Sequence, residues 1–240
     1  MLELRGLPTT VLALVLPQVE KTRPPRALMT PFMLGRPVGE PDDAAFQRRV
    51  LLQALGLLER SDGPVILEHF PDDPPSWTDR AGWAPSVNLP APDAALSGAA
   101  RSPAQWESLL GDEMAQVMPA RERFKSRFGR TTVGLSGQPP EAWPGFIASV
   151  LSGELPRTPL HDTTALALRF LVDDLKALYG EAAQAEGAPP SARQIDQWFW
   201  RRTVAGQLLI ALRAFALTSE NNGLKTVGGR FFVPVPHLPG

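Results

Sequence analysis

Cysteine is missing from all 240 positions. The chain by itself therefore offers no thiol or selenol chemistry, no disulfide framework and no thiolate metal site. Histidine is nearly as scarce. His69, His161 and His237 are the only three, so a three-histidine metal centre would consume every one of them. Positive charge is not in excess: 24 Lys and Arg stand against 25 Asp and Glu, and a net charge of −1 disfavours a phosphate-backbone partner. Long apolar runs are lacking as well. The longest, such as Val11 to Leu16, fall far short of the ~20 residues that a bilayer-spanning helix needs. Met1-Leu2-Glu3-Leu4-Arg5-Gly6 has no basic stretch followed by an apolar one and a small-residue cleavage site, so no secretory leader is expected. These absences predict a soluble cytoplasmic protein with neither a nucleic-acid nor a membrane partner.

What is present supports a folded chain. Hydrophobic residues make up 43% and charged residues 20%, enough for a real core and unlike a disordered chain. The 26 prolines outnumber the 20 glycines and cluster between apolar segments, which predicts stiff, extended connections.

Residues 1–70 have the rhythm of a small α/β unit with a parallel sheet. A branched apolar run over 9–16 lies between Pro8 and Pro17 and reads as a buried strand. Residues 17–22 can form a turn or two of helix with Pro at its start. Residues 27–32 and 65–67 read as the next two strands. Between them Asp42 or Asp43 can cap a helix reaching about Arg60, in which Phe46, Val50, Leu51, Ala54, Leu57 and Leu58 make an apolar face. Strand, helix, strand, helix, strand is the order of an α/β unit.

Residues 71–101 change character. Pro, Ala, Ser and Asp dominate, and the segment reads as a linker pinned by Trp77 and Trp83. Residues 102–240 read as a mainly α-helical region. Ser102-Pro103-Ala104-Gln105 and Ser191-Ala192-Arg193-Gln194 have the spacing of capping boxes. Helices are expected from 102, around 120–128, over 141–151, from Asp162 or Thr163, and from 192 through Phe215. The last two, joined by Gly187-Ala188-Pro189-Pro190, predict a long antiparallel hairpin. The C-terminal Phe231-Phe232-Val233-Pro234-Val235-Pro236 is expected to be extended and tucked against the helices.

Four segments carry candidate chemistry, each beside a plainer reading. Gly35, Arg36 and Gly39, ahead of a helix, can hold an anion or simply make a rigid connection. Glu68, His69, Asp72 and Asp73 follow a predicted strand and can bind a metal, serve as an acid–base group, or form a solvated loop. Alternation puts Glu68 and Phe70 on one face and His69 on the other, which weakens a single site. His161-Asp162 and Asp173-Asp174 read more simply as a helix cap and a two-faced pair. Trp198, Trp200 and Arg201 form either an interaction surface or the packing of the hairpin. No Ser-His-Asp order stands out, no catalytic residue is assigned, and no cofactor is predicted beyond the metal alternative at Glu68, His69 and Asp72.

Three stretches carry a family likeness: Gly6-Leu7-Pro8-Thr9-Thr10, Pro24-Pro25-Arg26-Ala27-Leu28, and Pro31-Phe32-Met33-Leu34-Gly35-Arg36-Pro37-Val38-Gly39-Glu40-Pro41 with Ala45-Phe46-Gln47-Arg48-Arg49-Val50-Leu51. With their spacing, residues 5–70 resemble the C-terminal part of the selenoprotein B family, the substrate-specific subunits of glycine, sarcosine, betaine and D-proline reductases. In that family the redox-active selenocysteine or cysteine lies just before the segment resembling Gly6-Leu7-Pro8. The resemblance therefore carries over a framework and no catalytic residue. It implies an accessory, non-catalytic subunit that completes a complex with a separate chain bearing cysteine or selenocysteine. The alternatives are a stand-alone metal-binding or hydrolase-like protein using residues 68–73, and a self-associating helical module in a homo-oligomer.

Overall fold

The structure is a computed structural model that describes residues 2–74, 78–90, 92 and 101–238. It divides into two compact units, Met1–Asp79 and Arg80–Gly240. The first holds a small parallel sheet and the second is helical, which is the mixed α/β organisation expected.

In the first unit β1 (Val11–Ala13), β2 (Arg26–Met29) and β3 (Ile66–His69) form a parallel sheet in the order β1-β2-β3. Helix α1 (Leu16–Thr22) joins β1 to β2. It starts with Pro in its first turn, where a missing N–H is harmless, and ends at Arg23 in the left-handed region, just ahead of Pro24 and Pro25. Helix α2 (Ala44–Gly56) joins β2 to β3. Of its two candidate caps, Asp43 does the work, accepting the Phe46 N–H at 3.0 Å. Register places Val11, Ala27 and Leu67 side by side, and likewise Ala13, Met29 and His69. Leu28, Ile66 and Phe70 take the opposite face and pack on Phe46, Val50 and Ala54 of α2. Phe32, Phe46 and Phe70 form a ring trio with centroids 5.6–5.7 Å apart.

In the second unit α3 (Pro103–Phe128), α4 (Trp143–Leu151), α5 (Thr164–Ala183), α6 (Ala192–Arg202), α7 (Val204–Thr218) and α8 (Asn222–Val227) surround one core. Both capping boxes form as read, and Thr163 caps α5. Contacts between α5 and α6 run in opposite senses: Tyr179 meets Trp198 and Phe199, while the earlier Lys176 meets the later Trp200. That is the expected antiparallel hairpin.

Three details differ from expectation. Residues 102–128 make one helix, not two, running through Pro119. A mid-helix Pro costs about 3 kcal/mol. Leu110, Met114 and Val117 before it and Ala120 and Phe124 after it share the same core, and their burial outweighs that cost. The predicted helix over 192–215 breaks at Thr203, which is extended. The C-terminal tail is wound, not extended: Gly228–Phe232 is a π-helical turn and Val235–His237 a 3-10 turn, with Phe232 and Val233 buried in the core.

Part of the segment read as linker packs on the helical core. Trp83 and Val87 contact it, and the Ser86 N–H and hydroxyl both donate to the Ala183 carbonyl. The other pinning residue, Trp77, lies outside the described residues. Among the described residues no helix is long and apolar enough to cross a membrane.

Candidate functional site

The sheet of the first unit is covered unequally. On its α2 face eight buried residues form one cluster, with Leu12 and Leu14 packed against it. On its other face, among the described residues, Ala13, Ala27 and Val19 form the buried cluster, with Met29 packed against it and Val19 coming from the seven-residue α1. Val11 is 41% exposed and Leu67 36% exposed on that second face, with His69 also exposed at the strand end. Parallel sheets ordinarily have both faces covered, because βαβ crossovers lay helices on each. Here α1 is too short to do so. A groove of about 230 Å³, lined by Val11, Leu12, Ala13, Leu14, Val19 and Thr22, runs along the outer side of β1. The outer surface of α2 adds exposed Leu51, Leu52 and Leu55.

The glycine loop serves the fold. Gly35 and Gly39 have φ of 89° and 96°, a region open to glycine at little cost. A side chain at Gly39 would sit 2.7 Å from the Phe46 ring. Arg36 pairs with Glu40 four residues on, so its charge is already met within the loop.

The acidic segment is drawn apart. Glu68 pairs with Arg60, Asp72 pairs with Arg49, and His69 faces the other side of the sheet from Phe70. Arg60 also binds Asp62 through two contacts, and this holds the Asp62 carboxyl down at about 2. Asp73 is exposed. Among the described residues no group of three or more His, Asp or Glu stands close enough to hold a metal ion.

In the helical unit, Trp198 and Trp200 lie in the core and Arg201 is exposed. The cation over an indole comes from α5: Lys176 Nζ stands 5.8 Å from the Trp200 centroid and donates to the Phe231 carbonyl at 2.8 Å. His237 stacks on the same indole, 5.2 Å away, with Nε2 at 2.6 Å from the Asp196 carboxylate. Burial, and then the nearby Arg169 guanidinium, push the Lys176 amine down from 10.5 to about 8. Sequence reading missed Lys176, Asp196 and His237 as neighbours. The available signal was the spacing of Arg169, Asp173 and Lys176, which puts three charged side chains on one face of α5 beside its apolar stripe.

Three buried carboxylates hold the helical unit together. Asp174 accepts the N–H groups of Gly134, Leu135 and Ser136, and Glu181 accepts the Thr132 N–H and the Thr131 hydroxyl. Glu113 accepts the Tyr179 hydroxyl at 2.7 Å and the N–H groups of Val204 and Ala205 at 2.7 and 2.9 Å. With Thr203 Oγ1 accepting the Gly206 N–H, the first donors of α7 are all met. Asp173 and Asp174 accordingly face two ways, Asp173 pairing with Arg169. His161 stacks on Phe170 and its ring contacts the Leu135 carbonyl at 3.0 Å. In comparison with known proteins, no family model, no curated protein and no solved structure matches the chain.

Proposed function

We propose that this chain is an accessory, non-catalytic subunit of a selenoprotein B-type reductase system. Its α/β unit docks a separate chain that carries the cysteine or selenocysteine. The observation that carries the reading is the half-covered sheet, where Val11 and Leu67 stay exposed on a face that parallel sheets normally bury. The resemblance over residues 5–70 supplies the kind of partner. The absence of cysteine supplies the reason for one, since redox chemistry at this framework needs a chalcogen that the chain lacks. A reducing, cytoplasmic setting accords with both.

The test is affinity purification of the full chain from its native host, beside the double variant Val11→Lys, Leu67→Lys. The wild type is expected to retain a thiol- or selenol-bearing chain, and the variant to lose it while keeping its circular dichroism. A wild-type monomer that retains no such chain at working concentration overturns the reading. Equal retention by the variant overturns the assigned face.

A further inference from the structure

Helix α2 carries a second apolar stripe besides the one it buries. Phe46, Val50 and Ala54 enter the core of the first unit. Leu51, Leu52 and Leu55 lie outside it and are 44%, 54% and 52% exposed. Single exposed leucines are ordinary, but three side by side on one helix mark a contact surface. Arg48 stands one turn before them. Glu59 stands one turn after them, in the 3-10 turn Leu57–Glu59 that continues α2. Arg48, Leu52, Leu55 and Glu59 follow at steps of four, three and four, the spacing of a coiled-coil seam. Both charged ends are exposed, and among the described residues neither is in a hydrogen bond or an ion pair. Their chain neighbours Arg49 and Arg60 are each paired, Arg49 with Asp72 and Arg60 with Asp62 and Glu68. The stripe therefore ends in one unengaged charge of each sign.

We infer that this stripe is a self-association surface, on which the α2 helices of two copies of the chain pack antiparallel about a two-fold axis. The order of the residues selects a second copy as the occupant. With the axis between Leu52 and Leu55, Leu52 of each copy meets Leu55 of the other. Arg48 and Glu59 are centred on the same point, so Arg48 of each copy meets Glu59 of the other. The two inner layers are then apolar, and both outer layers join opposite charges. Leu51 falls opposite Gly56, where an added Cβ would meet nothing within 4 Å, so the surface has room for it. A parallel pair would set Arg48 against Arg48 and Glu59 against Glu59, and like charges reject that arrangement. The seam is about 16 Å long, so the interface is small, with half-dissociation expected on the order of 10–100 μM. The stripe lies on the far side of α2 from the sheet, so pairing leaves the face of Val11 and Leu67 uncovered. The inference does not depend on the docking reading.

The test is sedimentation velocity of the full chain from about 1 μM to about 500 μM, a range that brackets the expected midpoint. The wild type should pass from monomer to dimer. Leu52→Lys puts a charge into both inner layers and should raise the dissociation constant about a hundredfold or more. Arg48→Glu alone, or Glu59→Arg alone, turns both outer layers into like-charge contacts and should raise it about tenfold. The double variant Arg48→Glu, Glu59→Arg restores opposite signs and should associate as the wild type does. An equal mixture of the two single variants should form a mixed dimer tighter than either variant's own pair. These positions are exposed, so the circular dichroism of every variant should match the wild type. A wild type that stays monomeric over the whole range overturns the inference, as it would if another part of the chain covered the stripe. A dimer that survives Leu52→Lys overturns the surface. A dimer indifferent to the charge exchanges overturns the antiparallel order.

Discussion

Asp174 and Ser136 are joined twice: one carboxylate oxygen accepts both the Ser136 N–H at 2.8 Å and its hydroxyl at 2.6 Å. The other oxygen takes the Gly134 and Leu135 N–H groups. Seven residues on, along the same face of α5, Glu181 holds Thr131 and Thr132. The irregular segment 131–136 is thus fixed by two acids of one helix, in place of the secondary structure it lacks.

Removing Asp174 should therefore be costly. Asp174→Ala leaves the buried Ser136 N–H and hydroxyl, and the part-buried Gly134 and Leu135 N–H groups, without their acceptor, and a loss of about 3 kcal/mol is expected. Asp174→Asn keeps one acceptor oxygen and should cost less. Urea unfolding gives the magnitude, and amide exchange gives the place, with 134–136 opening before α3 and α5. A cost under about 1 kcal/mol for the alanine variant would contradict this account.

Glu113 ties α3 to the start of α7 and to Tyr179. Tyr179→Phe leaves Glu113 its two backbone donors and should cost about 1 kcal/mol, whereas Glu113→Ala orphans three donors and should cost several times as much. Burial raises the Glu113 carboxyl above its usual range. Between that range and the raised value the folded chain holds a proton that the unfolded chain has released. Stability from this group is thus lost as pH rises through that window. Glu113→Gln should flatten that part of the pH profile, which denaturant midpoints would show.

How much of this was legible in advance depended on distance along the chain. Both capping boxes, the Asp43 or Asp42 cap, the proline-started α1 and the three strands are local patterns, and all of them form, although the first two strands, read over 9–16 and 27–32, are shorter, at Val11–Ala13 and Arg26–Met29. The break at Thr203 was not legible. Glu113 accommodates it from far along the chain, meeting the N–H of Val204, 91 positions later, which a helix restart would otherwise leave bare. Packing on both sides of Pro119 likewise overrode a strong local breaker. For the candidate sites, alternation correctly separated His69 from Glu68. Composition could not foresee that Arg49 and Arg60 would engage the acids, whereas Trp198 and Trp200 lie inside, as the hairpin-packing reading of that segment expects.

The two loop glycines should respond differently to alanine. Both have positive φ, so each substitution strains the backbone by about 1 kcal/mol. A methyl at Gly35 meets open space, while one at Gly39 comes within 2.7 Å of the Phe46 ring. Phe46 is locked in the ring trio with Phe32 and Phe70, so it has little room to yield. Gly39→Ala is expected to cost at least ~1 kcal/mol more than Gly35→Ala, as for other overpacked sites, read from the unfolding midpoint of the first unit. Equal costs would mean that Phe46 moves freely.

Lys176 should make the helical unit more stable as pH rises, opposite in sign to Glu113. Its folded amine sits at about 8 and its unfolded one near 10.5. Between these values the unfolded chain binds a proton that the folded chain does not, so unfolding becomes harder with increasing pH. Below the folded value both states are charged, and the cost of burying the charge is present in full. The rise should amount to a few kcal/mol at most, since about 1.4 kcal/mol attends each unit crossed and Lys176 is only partly buried. Denaturant midpoints between about pH 8 and 10 would trace it, a window below the titration of the chain's single tyrosine, which burial raises. Lys176→Met removes the titrating group. It should match or exceed the wild type near neutral pH, where the hydrogen bond lost to Phe231, about 1 kcal/mol, is set against the relieved desolvation. Its profile over the same window should be flatter than that of the wild type. If both chains show the same slope, Lys176 titrates normally in the fold, and its contact with Phe231 is that of an ordinary charged lysine.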